Sequence, residues 1–172
     1  RDGINHFNEV LDFAKERKIL MPIRLVKGAY WDTEVKHAQV EGFADYPVFT
    51  RKSNTDLSYL TCAQKMLKNR DVLYPMFGTH NAHTVASIVK MAGGDLSGFE
   101  FQKLYGMGDA LYNYVVGLNK KINVCVYAPV GPYGDLLPYL VRRMLENGAN
   151  SSFVHKIYDK EYAPDQIAYD PV

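Results

Sequence analysis

With 172 residues, 47% apolar and 23% charged, the chain is long enough for one domain with a sizeable core and has an ordinary globular composition. A net charge of +1 offers no basic excess for nucleic acid and no acidic tail for a basic partner. No apolar run is long enough to span a bilayer, and the mostly polar first residues do not read as a signal peptide.

Asn5 to Lys18 carries Phe7, Val10, Leu11 and Ala14 at the spacing of one helical face. The run ILMPIRLVKG then has strand length and ends at Gly28. Residues 32–43 are expected to form a helix with Asp32 as N-cap. After a break at Asp45–Pro47, VFTRK reads as a short extended piece, and Asn54 or Thr55 as the cap of a helix through Leu57, Leu60, Ala63 and Leu67. The same grammar repeats three times: VLYPMFGTH before NAHTVASIVKMAGG, FEFQKLYGM before DALYNYVVGL, and INVCVYAPVG before YGDLLPYLVRRMLENG. Strands alternating with helices over short connections imply α/β architecture, with parallel strands joined by right-handed crossovers. Four strands do not close a barrel, so an open doubly wound sheet is the structural rival. No G-x-G-x-x-G loop follows any strand, which weighs against a dinucleotide fold, and the lone Gly106-Met107-Gly108 carries little weight. Cys62 and Cys125, far apart in apolar surroundings, read as reduced core thiols, which fits a reducing cytoplasm.

Polar residues and glycines gather after the strands, where α/β folds place their chemistry. Lys27 could bind an anion or form a Schiff base if desolvated; its bland reading is a lysine snorkelling from a strand end. Period two puts Arg24, Val26 and Gly28 on one face and Leu25 and Lys27 on the other. A charge within a strand buried on both faces would need a partner, so Arg24 reads equally as half of an ion pair or as a ligand contact. His80 and His83 lack a carboxylate or cysteine to complete a metal set, so no metal is expected. By 100° steps Arg142 and Arg143 point away from the apolar face of Leu137, Leu140, Val141 and Met144. They read either as a solvated face, with Arg142 and Glu146 as an i,i+4 pair, or as a pair gripping a carboxylate.

RLVKGAYW (24–31), TRK (50–52), GTHNAH (78–83), FEFQKLYGMG (99–108), YAPVG (127–131) and YLVRRMLENGANSSFV (139–154) together resemble the proline dehydrogenase domain of bifunctional proline utilisation A flavoproteins. The blocks occur in that family's order over about residues 20–157. The resemblance implies a parallel (βα)8 barrel of the TIM type, of which this chain supplies the last four βα units as residues 1–157, with 158–172 as a linker. It implies FAD at the C-terminal strand ends. Arg24 matches an arginine beside flavin N5, and Lys27, Gly28, Ala29, Tyr30 and Trp31 match the strand-end segment against the flavin. Thr50, Arg51 and Lys52 match the pyrophosphate-neutralising stretch. Thr79, His80 and Asn81 match a further cofactor turn, Gln102 and Leu104 the strand beneath the flavin, and Glu146 a carboxylate near it. Arg142 and Arg143 match the pair that takes the proline carboxylate, and Tyr30, Tyr127, Leu25 and Leu104 the walls around the pyrrolidine ring. The implied catalytic set is Arg24, Tyr30 and Tyr127. The implied reaction is hydride transfer from L-proline to flavin N5, giving pyrroline-5-carboxylate, with electrons passed to a quinone.

The match lacks the earlier strands, which in the family supply a further substrate-binding lysine and an active-site aspartate. The chain is therefore expected to need an N-terminal barrel half and to be inactive alone. DPV at its end looks like a linker toward an aldehyde dehydrogenase domain, and a cytoplasmic parent with transient association at the inner membrane is implied. The rival readings are an aldolase-type lyase using Lys27 and a non-catalytic half-barrel that binds a partner through its open edges.

Overall fold

The computed structural model describes residues 2–28 and 30–148, with side chains as far as Arg143. Ala29, the side chain of Glu146 and the expected linker 158–172 lie outside the described residues. The elements run α1 (Gly3–Arg17), β1 (Met21–Leu25), α2 (Trp31–Val40), α3 (Lys52–Lys68), β2 (Leu73–Gly78), α4 (Ala82–Met91), β3 (Glu100–Leu104), α5 (Asp109–Leu118), β4 (Asn123–Tyr127) and α6 (Tyr133–Gly148). Among the described residues, those up to Cys125 belong to one compact unit and those from Val126 to Gly148 to a second.

The four strands form one parallel sheet in the order β1-β2-β3-β4. Each strand lies beside its predecessor in the chain, so the winding never reverses. A doubly wound sheet would show a switch point where the order turns back. The sheet's two faces differ. On β1, Met21, Ile23 and Leu25 pack on the core, whereas Pro22 and Arg24 are exposed. On β2, Leu73, Pro75 and Phe77 are buried, and Tyr74, Met76 and Gly78 only partly so. On β3, Phe101 and Lys103 share the buried face.

The core lies between the sheet's buried face and the crossover helices. Phe77, Phe99 and Phe101 meet edge-to-face or tilted with ring centroids 5.8–6.0 Å apart, and Tyr112 extends the cluster from α5. Ala63, Met66 and Leu67 close it from α3, and Val85 and Ile88 from α4. Each fully buried phenylalanine contributes roughly 1.5–3 kcal/mol, the same scale as the buried leucines, isoleucines and methionine around it.

Four local expectations are corrected. Helix α2 starts at Trp31 with Tyr30 at its N-cap, so Asp32 sits in the first turn, where a carboxylate still favours the helix N-terminus. Helix α3 begins at Lys52 with extended Arg51 before it. Asn54 and Thr55 are therefore helical, and of the expected extended piece Val48 and Thr50 lie in bends and Lys52 in the helix. Cys62 is a buried free thiol, but Cys125 is exposed on the open side of β4. Arg24 does not lie in a strand buried on both faces: its own face is open.

Candidate active site

The open face of the sheet carries a line of polar side chains. Arg24 donates from Nε to Gln102 Oε1 at 2.6 Å, reaching from β1 to β3. Gln102 Nε2 donates to Glu100 Oε1 at 2.7 Å, and the Tyr74 hydroxyl donates to Glu100 Oε2 at 3.3 Å. Burial and the adjacent Glu100 both push the Tyr74 hydroxyl up, so it remains a protonated donor. Between β1 and β3 the guanidinium passes over Gly78. A Cβ there would stand 3.1 Å from Arg24 Nη2 and 3.0 Å from Val26 Cγ1. The alternation of β3 puts Leu104 on the same side as Gln102, whereas Leu25 points to the core. The structure thus unites Arg24 with Gln102 and leaves Leu25 on the other face.

Lys27 follows Leu25 to the core side. Its Nζ lies 2.6 Å from Asp56 Oδ1 and 3.3 Å from Thr84 Oγ1, and 5.1 Å from the centre of the Tyr59 ring. Lys52 reaches the other oxygen of Asp56 at 2.5 Å. Burial works to raise the Asp56 carboxyl, but hydrogen bonds and charge from the two lysines outweigh it and hold it below its ordinary range. For Lys27, burial wins over Asp56, and the ammonium loses its proton more readily than a surface lysine. Lys27 is therefore a desolvated ion-pair partner. It would have to leave Asp56 before its nitrogen could attack a carbonyl, which counts against the lyase reading.

Three strand-end loops complete this unit. After β2, buried Thr79 accepts from the Asn81 backbone N–H at 3.1 Å, and its carbonyl accepts from the Tyr112 hydroxyl at 2.7 Å. Asn81 caps α4 by accepting from the Thr84 N–H at 3.0 Å. His80 Nε2 accepts from the Leu104 N–H at 3.2 Å, which requires a neutral ring to carry its proton on Nδ1. The turn after β3 depends on Gly106 and Gly108, whose φ values of +77° and +69° favour glycine. A Cβ on Gly108 would meet His80 Cδ2 at 2.9 Å. Lys103 pairs with Asp109 on the core side, repeating the arrangement of Lys27 with Asp56. After β1, Gly28 has a φ of +76°, Tyr30 is exposed, and Trp31 Nε1 donates to the Phe49 carbonyl at 2.9 Å. That bond ties the start of α2 to the approach to α3.

Thr50, Arg51 and Lys52 are exposed at the N-terminus of the 17-residue α3, whose first turn holds no carboxylate and whose cap makes no side-chain hydrogen bond. Cations at that end oppose the helix dipole, and the first N–H groups have no intrahelical acceptors. The combination suits an anion.

In the second unit, Tyr127 is partly buried at the end of β4. On α6, Arg142 is exposed and Arg143 lies 5.5 Å over the Tyr139 ring. Leu137, Leu140 and Val141 are each more than 40% exposed, so the helix's apolar stripe is not a buried one. Among the described residues no group of three or more His, Cys, Asp and Glu could hold a metal, and no helix is long and apolar enough to cross a membrane.

Sequence reasoning missed Asp56, Tyr74, Gly78, Glu100 and Gly108. The two-residue period of a strand was the available signal for Glu100, since it puts Glu100 and Gln102 on one face. Nothing local in the sequence pairs Asp56 with a lysine 29 positions earlier.

The sequence profile described as "Proline dehydrogenase" matches residues 1–156. The chain is 52% identical over 169 residues to the Bifunctional protein PutA of Klebsiella aerogenes, covering 95% of this chain and 13% of that protein. It is 32% identical over 148 residues to the mitochondrial Proline dehydrogenase 2 of Arabidopsis thaliana, covering 80% of this chain and 30% of that one. A crystal structure of a Bradyrhizobium japonicum Proline Utilization A variant superposes with a TM-score of 0.94 at 49% identity, covering 99% of this chain and 18% of that one. Another, of proline utilization A from Bdellovibrio bacteriovorus inactivated by N-propargylglycine, has a TM-score of 0.93 at 34% identity, covering all of this chain and 18% of that one. The chain spans only about an eighth of the length of the bifunctional relatives, yet nearly all of it aligns with them. On sequence profile, relatives and fold together, the chain belongs to the proline dehydrogenase family.

Proposed function

We propose that residues 1–157 are the C-terminal half of an FAD-dependent proline dehydrogenase barrel, whose parent oxidises L-proline to pyrroline-5-carboxylate. The observation that carries this reading is the Arg24 guanidinium, held by Gln102 across Gly78 on the open face of the sheet. That bond fixes where the guanidinium stands on the open face, in reach of a ligand lying over the sheet. Strand order without a switch point supports closure into a (βα)8 barrel when an upstream half contributes the remaining strands. The open face would then line the barrel interior.

The residues present fit a flavin dinucleotide. The bare N-terminus of α3, with Thr50, Arg51 and Lys52, suits a pyrophosphate. Arg24 and Gln102 would hold the isoalloxazine, with Gly28, Ala29, Tyr30, Trp31, Thr79, His80, Asn81, Leu104 and Glu146 completing the cofactor contacts. Lys27, paired with Asp56, would contribute by fixing the strand end. When bound, FAD supplies the hydride acceptor for the carbon next to the proline nitrogen. A guanidinium fixed by Gln102 favours negative charge on whatever ring it meets, which is the direction reduction takes. Arg142 and Arg143 would take the proline carboxylate, a planar acceptor suited to guanidinium forks. Tyr30, Tyr127 and Leu104 would wall the pyrrolidine ring, with Leu25 acting from the core side.

The bifunctional naming of the relatives supports a parent in which 158–172 leads toward an aldehyde dehydrogenase domain. A quinone acceptor, a cytoplasmic setting and transient association at the inner membrane belong to the same reading. Co-expression with the upstream half, with FAD supplied, should give protein with a flavin band near about 450 nm and proline:quinone activity. Arg142→Met should raise the apparent KM for proline by about ten- to a hundred-fold, the weight of one charged hydrogen bond, with little change in FAD affinity. Protein that remains colourless with FAD present, or equal losses on both ligands, would overturn the assignment.

A further inference from the structure

The line of polar groups on the open face has a direction. Gln102 presents two chemically different ends, and its neighbours decide which faces where. Glu100, when ionised, can only accept, so it must meet the Nε2 end of the amide, as it does at 2.7 Å. That leaves Oε1 to face Arg24, which can only donate, and the Nε contact measures 2.6 Å. Were the amide turned round, it would set an oxygen against a carboxylate and an NH2 against a guanidinium. Tyr74 holds the far oxygen of Glu100 from β2. The register pairs Met76 with both Arg24 and Glu100, and Gly78 with Gln102. Arg24 thus reaches Gln102 diagonally, over the one β2 position without a side chain. The core has no use for Glu100: β3 supplies Phe101 to it from the opposite face, and Phe99 precedes the strand.

We infer that Glu100 is a positioning residue for Arg24, acting through the amide of Gln102 and anchored by Tyr74. This rests on the flavin reading only for its consequence, since the positioning itself is a property of the chain. Glu100 need not touch cofactor or substrate. It sets the polarity of Gln102, and Gln102 sets the direction of the guanidinium.

The test measures the ratio of Arg24 to Arg70 modification by phenylglyoxal in the full chain, resolved by peptide mass spectrometry. Arg70 is an internal reference, anchored to the Asp95 and Ser97 carbonyls away from this face. Glu100→Ala should raise the ratio about fivefold, the scale of one ordinary hydrogen bond, and Gln102→Ala should do the same. The double variant should do no more than Gln102→Ala alone, because the two residues act in series. In flavin-loaded protein co-expressed with the upstream half, Glu100→Ala should weaken the preference for reduced cofactor about tenfold, a drop of about 30 mV for a two-electron couple. An unchanged labelling ratio, or additive effects in the double variant, overturns the role of Glu100 whether or not flavin binds. Wild-type protein that takes up no flavin while the ratio responds as expected overturns the cofactor reading and leaves the positioning role standing.

Discussion

Replacing Asp56 by alanine should destabilise the first unit by about 2 kcal/mol, through the lysine it leaves behind. Asp56 and Lys27 are each only 20% exposed, with 2.6 Å between Oδ1 and Nζ. Breaking a fully buried pair from one side costs about 3–5 kcal/mol, because the remaining charge stays desolvated. An exposed pair is worth about 0–1 kcal/mol, and Lys52, at 59% exposure, adds at that end of the scale. Two features soften the loss: Thr84 Oγ1 at 3.3 Å and the Tyr59 ring at 5.1 Å still receive the ammonium. Residual exposure and these contacts bring the figure to about 2 kcal/mol. Urea unfolding, followed by circular dichroism, should show a lower midpoint at unchanged slope. Adding Lys27→Met should restore most of the stability, since a methionine in that apolar setting leaves no charge to solvate. If Asp56→Ala costs under about 0.5 kcal/mol, or if Lys27→Met deepens the loss, the pair is solvent-screened and the reasoning fails.

The stability gap between wild type and Asp56→Asn should depend on pH. The Asp56 carboxyl is held below its ordinary 3.8 when folded, so its contribution is fully present above that value and disappears as pH falls through the lower folded one. Unfolding curves from about pH 6 down to about pH 2 should show the gap closing, and a gap undiminished at the acid end would contradict the pairing. Lys27, depressed by burial below 10.5, works at the other end. There the unfolded chain binds more protons, so raising pH toward 10.5 relieves the burial penalty, and Lys27→Met should remove that alkaline component of the pH profile. Gly108→Ala should cost about 1–2 kcal/mol from its left-handed backbone alone. It should also speed exchange of the Leu104 amide as His80 is displaced, and slow exchange together with intact stability would refute that account. Asn81→Ala should cost about 1 kcal/mol by removing the cap of α4, read as a shift in Tm.

Much of the architecture was legible because its signals are local. Apolar runs of strand length, ILMPIRLVKG and VLYPMFGTH, marked strands, and 3.6-residue spacing marked the helices between them. Period two already separated Arg24 from Lys27, but not which side would carry the helices. That depends on the crossovers' hand and on where Phe77, Phe99 and Phe101 meet, contacts between segments far apart in sequence. The same distance hid Asp56 from Lys27. The start of α3 was misread because Arg51 and Lys52 are poor caps, and an unfavourable cap is tolerated where the helix end can serve a ligand. Gly106 and Gly108 were discounted as a lone motif. Their importance lies in positive φ and in the approach of His80, neither of which a pattern of letters carries.

The two cations of the β1 segment show how one strand can serve stability and chemistry at once. Lys27 enters the core side and there meets a full negative charge, because a desolvated ammonium is tolerable only when paired. Arg24 goes to the open face, and its Nε acceptor is an amide. An amide oxygen fixes the direction of the guanidinium, and the carboxylate of Glu100 stands one residue further along the line. Exchanging the partners would spoil the core side, because an amide at 56 would leave Lys27 with an uncompensated buried charge. The placement of Asp56 and Gln102 therefore lets a single five-residue strand and its exit loop pair a cation on the core side and aim a guanidinium along the other.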